Sequence, residues 1–141
     1  MLTSLPSPQI APLVMRLHAV LVEELHGALP EAGFTDIRPT HCQVLRGIDP
    51  GGSRLTDLAS AARMTKQSMS ALVDHLEAAG YVERVQDRAD ARVKAIRLTA
   101  RGRQAAEKIA EIGARIESEW AGKIGHRRLE QLRAALAEIT T

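Results

Sequence analysis

The stretch "VERVQDRADARVKAIRLTARG", Val82 to Gly102, constrains the fold most: apolar and polar residues alternate, a charged hexapeptide interrupts them, the alternation resumes, and a glycine closes it. Alternation at a period of two describes half-buried strands, here Tyr81 to Val85 and Arg92 to Leu98, joined by "QDRADA". A two-stranded hairpin is marginal in water by itself, so it must pack on what precedes it. What precedes it is "MTKQSMSALVDHLEAAG". Thr65 can cap a helix there, Met69, Leu72, Val73 and Leu76 give it one apolar stripe, and Gly80 is placed to end it in the left-handed conformation. At 100° per residue the opposite face carries Gln67, Ser70, Ala71 and Asp74, with Lys66 on its flank.

Upstream, Ile10, Leu13, Val14, Leu17, Leu21 and Leu25 recur at helical spacing, and this first helix should end between Gly27 and Pro30. Thr40 is the expected cap of a second helix whose stripe is His41, Val44, Leu45 and Ile48 and which stops at "DPGG". A short third helix carries Leu55, Leu58, Ala59 and Ala62, with Ser53 or Thr56 as its cap. Two helices joined near Arg63 and Met64, the second exposing small polar side chains at its start, describe a helix-turn-helix, and a hairpin after it makes a winged helix. In that architecture the second helix enters the major groove, and the hairpin tip reaches the minor groove or the backbone, where arginine is favoured.

Charge distribution fits that partner. The formal net charge is only +2, but seven cations face two carboxylates between Arg84 and Arg103. A solvated charged face would give the same count. Aromatics are 2% of the chain, which argues for a core of aliphatic residues and against a stacking platform for single strands. With one cysteine, Cys42, no internal disulfide can form, and "MLTSLPSPQIAPLVMRL" lacks the pattern of a signal peptide. No apolar run approaches the ~20 residues of a membrane span, so the cytoplasm is the expected compartment.

Beyond the hairpin, Ala105, Ile109, Ile112, Ile116 and Trp120 form one stripe; after a break from Gly122 to Gly125, Leu129, Leu132, Leu136 and Ile139 form another, close to a heptad seam. A winged helix does not need two further long helices to cover it, so their expected use is association. The chain of 141 residues is therefore expected to be one mainly α domain: a winged helix-turn-helix over 38–102 with a two-stranded β wing, flanked by N- and C-terminal dimerisation helices in 1–30 and 104–141.

The combination of Leu55, Leu58 and Ala59, "LEAAGYVERV", Asp87 and Arg92, then Leu98, Thr99 and Gly102 resembles the MarR family of bacterial transcription regulators over nearly the whole chain. The resemblance implies a homodimer whose first and last helices interlock, a pseudo-palindromic duplex as partner, and a small-molecule or redox signal read between the dimer helices and the winged helix. The wing departs from the family's pattern of Asp, any residue, Arg, Asp, any residue, Arg, because Ala89 takes the third place. Arg92 matches the last arginine, with Asp87 or Asp90 available to hold it, and Arg88 is the local substitute at the tip.

The DNA-contacting set read this way is Thr65, Lys66, Gln67, Ser68, Ser70, Ala71, Asp74, Arg84, Arg88, Arg92 and Lys94. Gln67 can pair with adenine, whereas Lys66 and Arg84 suit phosphate. His41, Leu45 and Leu17 are the candidate effector contacts, and Cys42 beside His41 the candidate redox residue. No catalytic set is present: Ser68 and Ser70 lack a basic partner, no Gly-rich phosphate loop occurs, and "DPGGSR" reads as a turn. His18, His26, His41, His75 and His126 show no metal-ligand spacing, so neither a metal nor a cofactor is expected. Three readings stay open: a repressor released by a small molecule, a redox-sensing regulator using Cys42, and a winged-helix module that binds protein instead of an operator.

Overall fold

The structure, a computed structural model, describes residues 7–141; the first six residues of the association segment expected over 1–30 lie outside the described residues. Six helices and three strands follow in chain order among the described residues: α1 (Ile10–Glu31), α2 (Pro39–Gly47), β1 (Ser53–Arg54), α3 (Leu55–Ala61), α4 (Lys66–Ala78), β2 (Val82–Gln86), β3 (Lys94–Leu98), α5 (Ala100–Ile124) and α6 (His126–Thr140). None of these helices is long and apolar enough to cross a membrane.

Leu29, Val44, Leu45, Met69, Val73, Leu76, Tyr81 and Ile96 form the centre of the core, and the α5 stripe Ala105, Ile109, Ile112 and Ile116 closes it from the other side. Aliphatic side chains at helical spacing supply nearly all of this packing. Helix α5 is the spine: α1, α2 and α6 all pack against it, while α3 and α4 pack on each other and α4 lies against both α2 and β2. Gly102 makes the tightest join. A Cβ there would sit 2.0 Å from the Tyr81 carbonyl oxygen, so only glycine lets α5 start against the strand.

Several expectations shift for local reasons. The wing sheet has three strands in the order β1-β3-β2, with Ser53 and Arg54 paired to Ile96 and Ala95. Arg92 and Val93 fall in the connection instead of β3, since the turn is closed by the Asp87 amide donating to the Val93 carbonyl at 2.9 Å. Pro30 is tolerated inside the last turn of α1. Thr40 is not the cap of α2: Pro39 occupies the first helical position, and the free Arg38 amide donates to Nδ1 of His41 at 2.9 Å. Neither Ser53 nor Thr56 caps α3, whose first flanking residue is Arg54; the Ser53 hydroxyl instead accepts from the Asp49 amide at 2.9 Å. Thr65 does cap α4, accepting from the Ser68 amide at 3.1 Å, and Gly80 ends it at φ +83.

Candidate nucleic-acid interface

Helix α4 buries Met69, Val73 and Leu76 and leaves Lys66, Gln67, Ser68, Ala71 and Asp74 exposed, with Ser70 half-buried. The turn before it is sharp: Arg63 sits at φ +53, and the Arg63 and Met64 amides donate back to Ser60 and Ala59 carbonyls. A side chain with β-carbon strain at that place is held only because both neighbouring helices are anchored.

The wing stands beside α4. Arg84 on β2 donates to Asp74 Oδ1 at 2.8 Å and Glu77 Oε1 at 2.7 Å, so it fastens the strand to α4 and is not a free cation for phosphate. At the tip, Arg92 forms a fork on Asp90 at 3.1 and 3.2 Å with its side chain 90% exposed, which draws the Asp90 carboxyl below its ordinary range. Such exposed pairs are worth ~0–1 kcal/mol and yield readily to a phosphate. Arg88 and Lys94 are exposed and make no ion pair among the described residues. Arg97 is paired with Glu83, its cross-strand partner, at 2.6 Å, and Arg101 with Asp36 at 2.9 Å. Three of the seven cations in the basic stretch, Arg84, Arg97 and Arg101, are thus neutralised by acids from other elements, while Arg88 and Lys94 on the wing and Arg103 on α5 make no ion pair among the described residues.

Asp87 does not hold Arg92. Its carboxylate takes a fork from Arg54 of β1, a residue that pattern reading passes over because "DPGGSR" signals only a turn. Asp36 is the second unanticipated centre. Its carboxylate accepts from the Tyr81 hydroxyl and from Arg101, and the Arg101 guanidinium lies 4.5 Å from the centre of the Tyr81 ring. Burial works against that carboxylate, but the bonds from Tyr81 and Arg101 outweigh it and its pKa lies below the ordinary value.

A cleft of about 600 Å³ opens between α1, α2 and α5, walled by Leu21, Val22, Leu25, Pro39 and Ile109 and carrying His18, Arg38, Cys42, Gln43 and Arg46. The expected effector contacts are placed differently. His41 turns away from the cleft, buried and stacked on His75 at 4.5 Å between ring centres, because its Nδ1 must serve the Arg38 amide. Burial, then the charges of His75 and Arg38, lower its pKa. Leu45 is a core residue, 1% exposed, and Leu17 lines a separate apolar hollow with Trp120, Leu129, Leu132 and Leu136. Cys42 borders the cleft, but it is 4% exposed, donates to the Arg38 carbonyl, and burial pushes its thiol up to about 11. Burial thus disfavours the thiolate that redox chemistry requires. No trio of His, Cys, Asp or Glu among the described residues could hold a metal ion.

A helix-turn-helix with its polar face exposed, followed by an arginine-tipped hairpin and flanked by long helices, defines a winged-helix protein with appended helices at both ends. Residues 35–93 match the sequence profile of the MarR family. No curated protein matches it in sequence. Among solved structures, it is similar to a MarR-family transcriptional regulator from Rhodococcus sp. RHA1, with a TM-score of 0.82, 23% identity and 97% of each chain covered. It is also similar to CouR from Rhodococcus jostii RHA1 bound to p-coumaroyl-CoA (TM-score 0.80, 24% identity, 97% of this chain and 95% of that one). The third is MepR of S. aureus in complex with DNA (TM-score 0.77, 22% identity, 95% and 97%).

Proposed function

We propose that the chain is a sequence-specific, homodimeric DNA-binding regulator, a repressor released when a small molecule occupies the cleft between α1, α2 and α5. The observation that carries the reading is the exposed polar face of α4 next to a wing whose exposed cations Arg88 and Lys94 make no ion pair among the described residues. Gln67 reads a base in the major groove, Lys66 and Arg63 meet phosphate, and Arg88, with Arg92 once released from Asp90, meets the minor groove or the backbone. MepR in its DNA complex and CouR bound to p-coumaroyl-CoA give precedent for both partners on the same fold.

Dimerisation is supported by apolar surface that one chain cannot cover. Ile10, Leu13, Val14, Met15, Leu17 and Val20 of α1 and Leu132, Leu136 and Ile139 of α6 are all at least 36% exposed. A two-fold dimer places two α4 helices to read half-sites about one helical turn apart. Apolar walls with Arg38 and Arg46 suit an organic anion with a hydrophobic body. A ligand acts only through unequal affinity for two arrangements of the wings; a coupling of ~1–3 kcal/mol corresponds to a roughly 5- to 150-fold loss of operator affinity.

Selection of bound duplexes from a random pool tests the reading. A pseudo-palindromic consensus is expected; recovery of unrelated sequences would leave a winged helix that binds protein or unspecific polyanion. Arg38→Ala with Arg46→Ala should then abolish release by aryl or alkyl carboxylates while leaving operator affinity intact.

A further inference from the structure

The short strand before α3 does more than edge the sheet. Gly52 sits at φ +100, and a Cβ there would lie 3.3 Å from the Ile96 carbonyl oxygen; glycine thus lets β1 lie against β3 and fixes where Arg54 emerges. From there Arg54 donates through Nε to Asp87 Oδ2 at 3.0 Å and through Nη2 to Oδ1 at 3.1 Å. The same Oδ1 accepts the Ala89 amide at 2.8 Å and the Asp90 amide at 3.0 Å. One carboxylate therefore ties three pieces of chain: β1, the end of β2 and the tip. Arg88 lies between the pinned residues Asp87 and Ala89, and no ion pair diverts it among the described residues.

We propose that Arg54 is the positioning residue of the wing: its fork on Asp87 sets the backbone of the tip and thereby aims Arg88 at DNA. The proposal rests on the DNA-binding reading, which it deepens. Two further observations support it. The Arg54 fork, with the Ala89 and Asp90 amides, holds the Asp87 carboxyl far below the usual carboxylate range. Arg54 is also outside the core, 38% exposed at its side chain, so its loss removes a clamp and not a packing element. An aimed cation is needed because the minor groove is narrow and admits a side chain from few directions.

The test uses the full-length protein and two readouts. Trypsin cuts after Arg88 and Arg92, and its rate there reports how often the tip opens. Duplex selection reports which bases are read. Arg54→Ala should raise cleavage at these two sites about tenfold, with cleavage after Lys108 in α5 unchanged. It should also erase preference at base pairs flanking the half-sites while keeping the preference contributed by Gln67. Arg54→Lys should behave like Arg54→Ala, because an ammonium cannot make the fork. Asp87→Asn, which leaves Arg54 in place and keeps an acceptor for the two amides, provides the second variant should Arg54→Ala misfold, and should show the same flanking loss.

Unchanged cleavage at the wing overturns the clamp whatever happens to DNA binding. Faster cleavage with flanking preference intact overturns the positioning role. Full function of Arg54→Lys would make Arg54 a plain phosphate contact and also overturn it. A wild-type protein that enriches no sequence would defeat the underlying DNA-binding reading, while the proteolysis would still decide whether the clamp exists.

Discussion

The two halves of the chain complete themselves to different degrees. From α2 to β3 the chain satisfies itself: most of its apolar side chains are buried, α2 and α4 are capped at their starts, and most of its arginines have carboxylate partners. Helices α1 and α6 are amphipathic without a second surface. Leu29 at the end of α1 is 1% exposed, but Ile10 and Met15 at its start are 72% and 73% exposed. Along α6 the exposure climbs from 8% at Leu129 to 77% at Ile139. A single chain thus builds a finished winged-helix head on an unfinished support, and a second copy of the support is the simplest cover for the remainder.

The largest expected effect breaks the support and spares the head. Leu132→Glu with Ile139→Glu would place charge in a two-fold seam twice over, costing about 6 kcal/mol if each copy carries ~3 kcal/mol. Sedimentation should show a monomer at micromolar concentration where the wild type is a dimer, with helical content nearly unchanged. Wild-type protein that sediments as a monomer at that concentration removes the dimer from the account.

Next in size is a change at the join. Gly102→Ala would drive a methyl into the Tyr81 carbonyl and should destabilise by about 3 kcal/mol, through either a shifted β2 or a displaced α5. Gly113→Ala, whose new methyl meets nothing closer than 4.0 Å, should be neutral or slightly stabilising. Urea unfolding of the two variants that gave equal losses would show that the close approach is not what holds the head to α5.

The smallest effect is acid sensitivity confined to the head. His41 has a folded-state pKa below 6.5, so the unfolded chain takes up its proton first as pH falls. Its contribution is therefore complete above pH 6.5 and is lost below it, until the folded-state value is passed. The slope is at most one proton, about 1.4 kcal/mol per pH unit. His41→Gln keeps an acceptor for the Arg38 amide and removes the titration. Unfolding measured at neutral pH and at mildly acid pH should converge for that variant; an undiminished acid slope would place the sensitivity elsewhere.

Periodicity made the helices and the wing legible because both are repeating solutions to burying one face. The α4 cap and the glycine stop at Gly80 were legible for the same kind of reason, being local in sequence. What was not legible is long-range and polar. Arg54 and Asp87 are 33 residues apart, and Arg101 and Asp36 are 65 apart; no spacing rule links either pair. The charge count over Arg84 to Arg103 overstated the free positive field because Asp36, Asp74, Glu77 and Glu83 come from outside that window. His41 misled for a related reason: its place on an apolar stripe is explained by capping α2 and stacking on His75, not by the cleft. The cleft residues Arg38, just before that same helix, and Arg46, on its exposed side, were passed over because polarity on a solvent face ordinarily signals nothing.

The central claim, that the exposed face of α4 reads bases, is tested most directly by measuring Gln67→Ala on two duplexes: the sequence selected by the wild type and an unrelated one of equal length. Affinity for the selected duplex should fall by ~1–3 kcal/mol with preference relaxed at one base pair in each half-site, while affinity for the unrelated duplex and the salt dependence stay the same. Equal losses on both duplexes would contradict it.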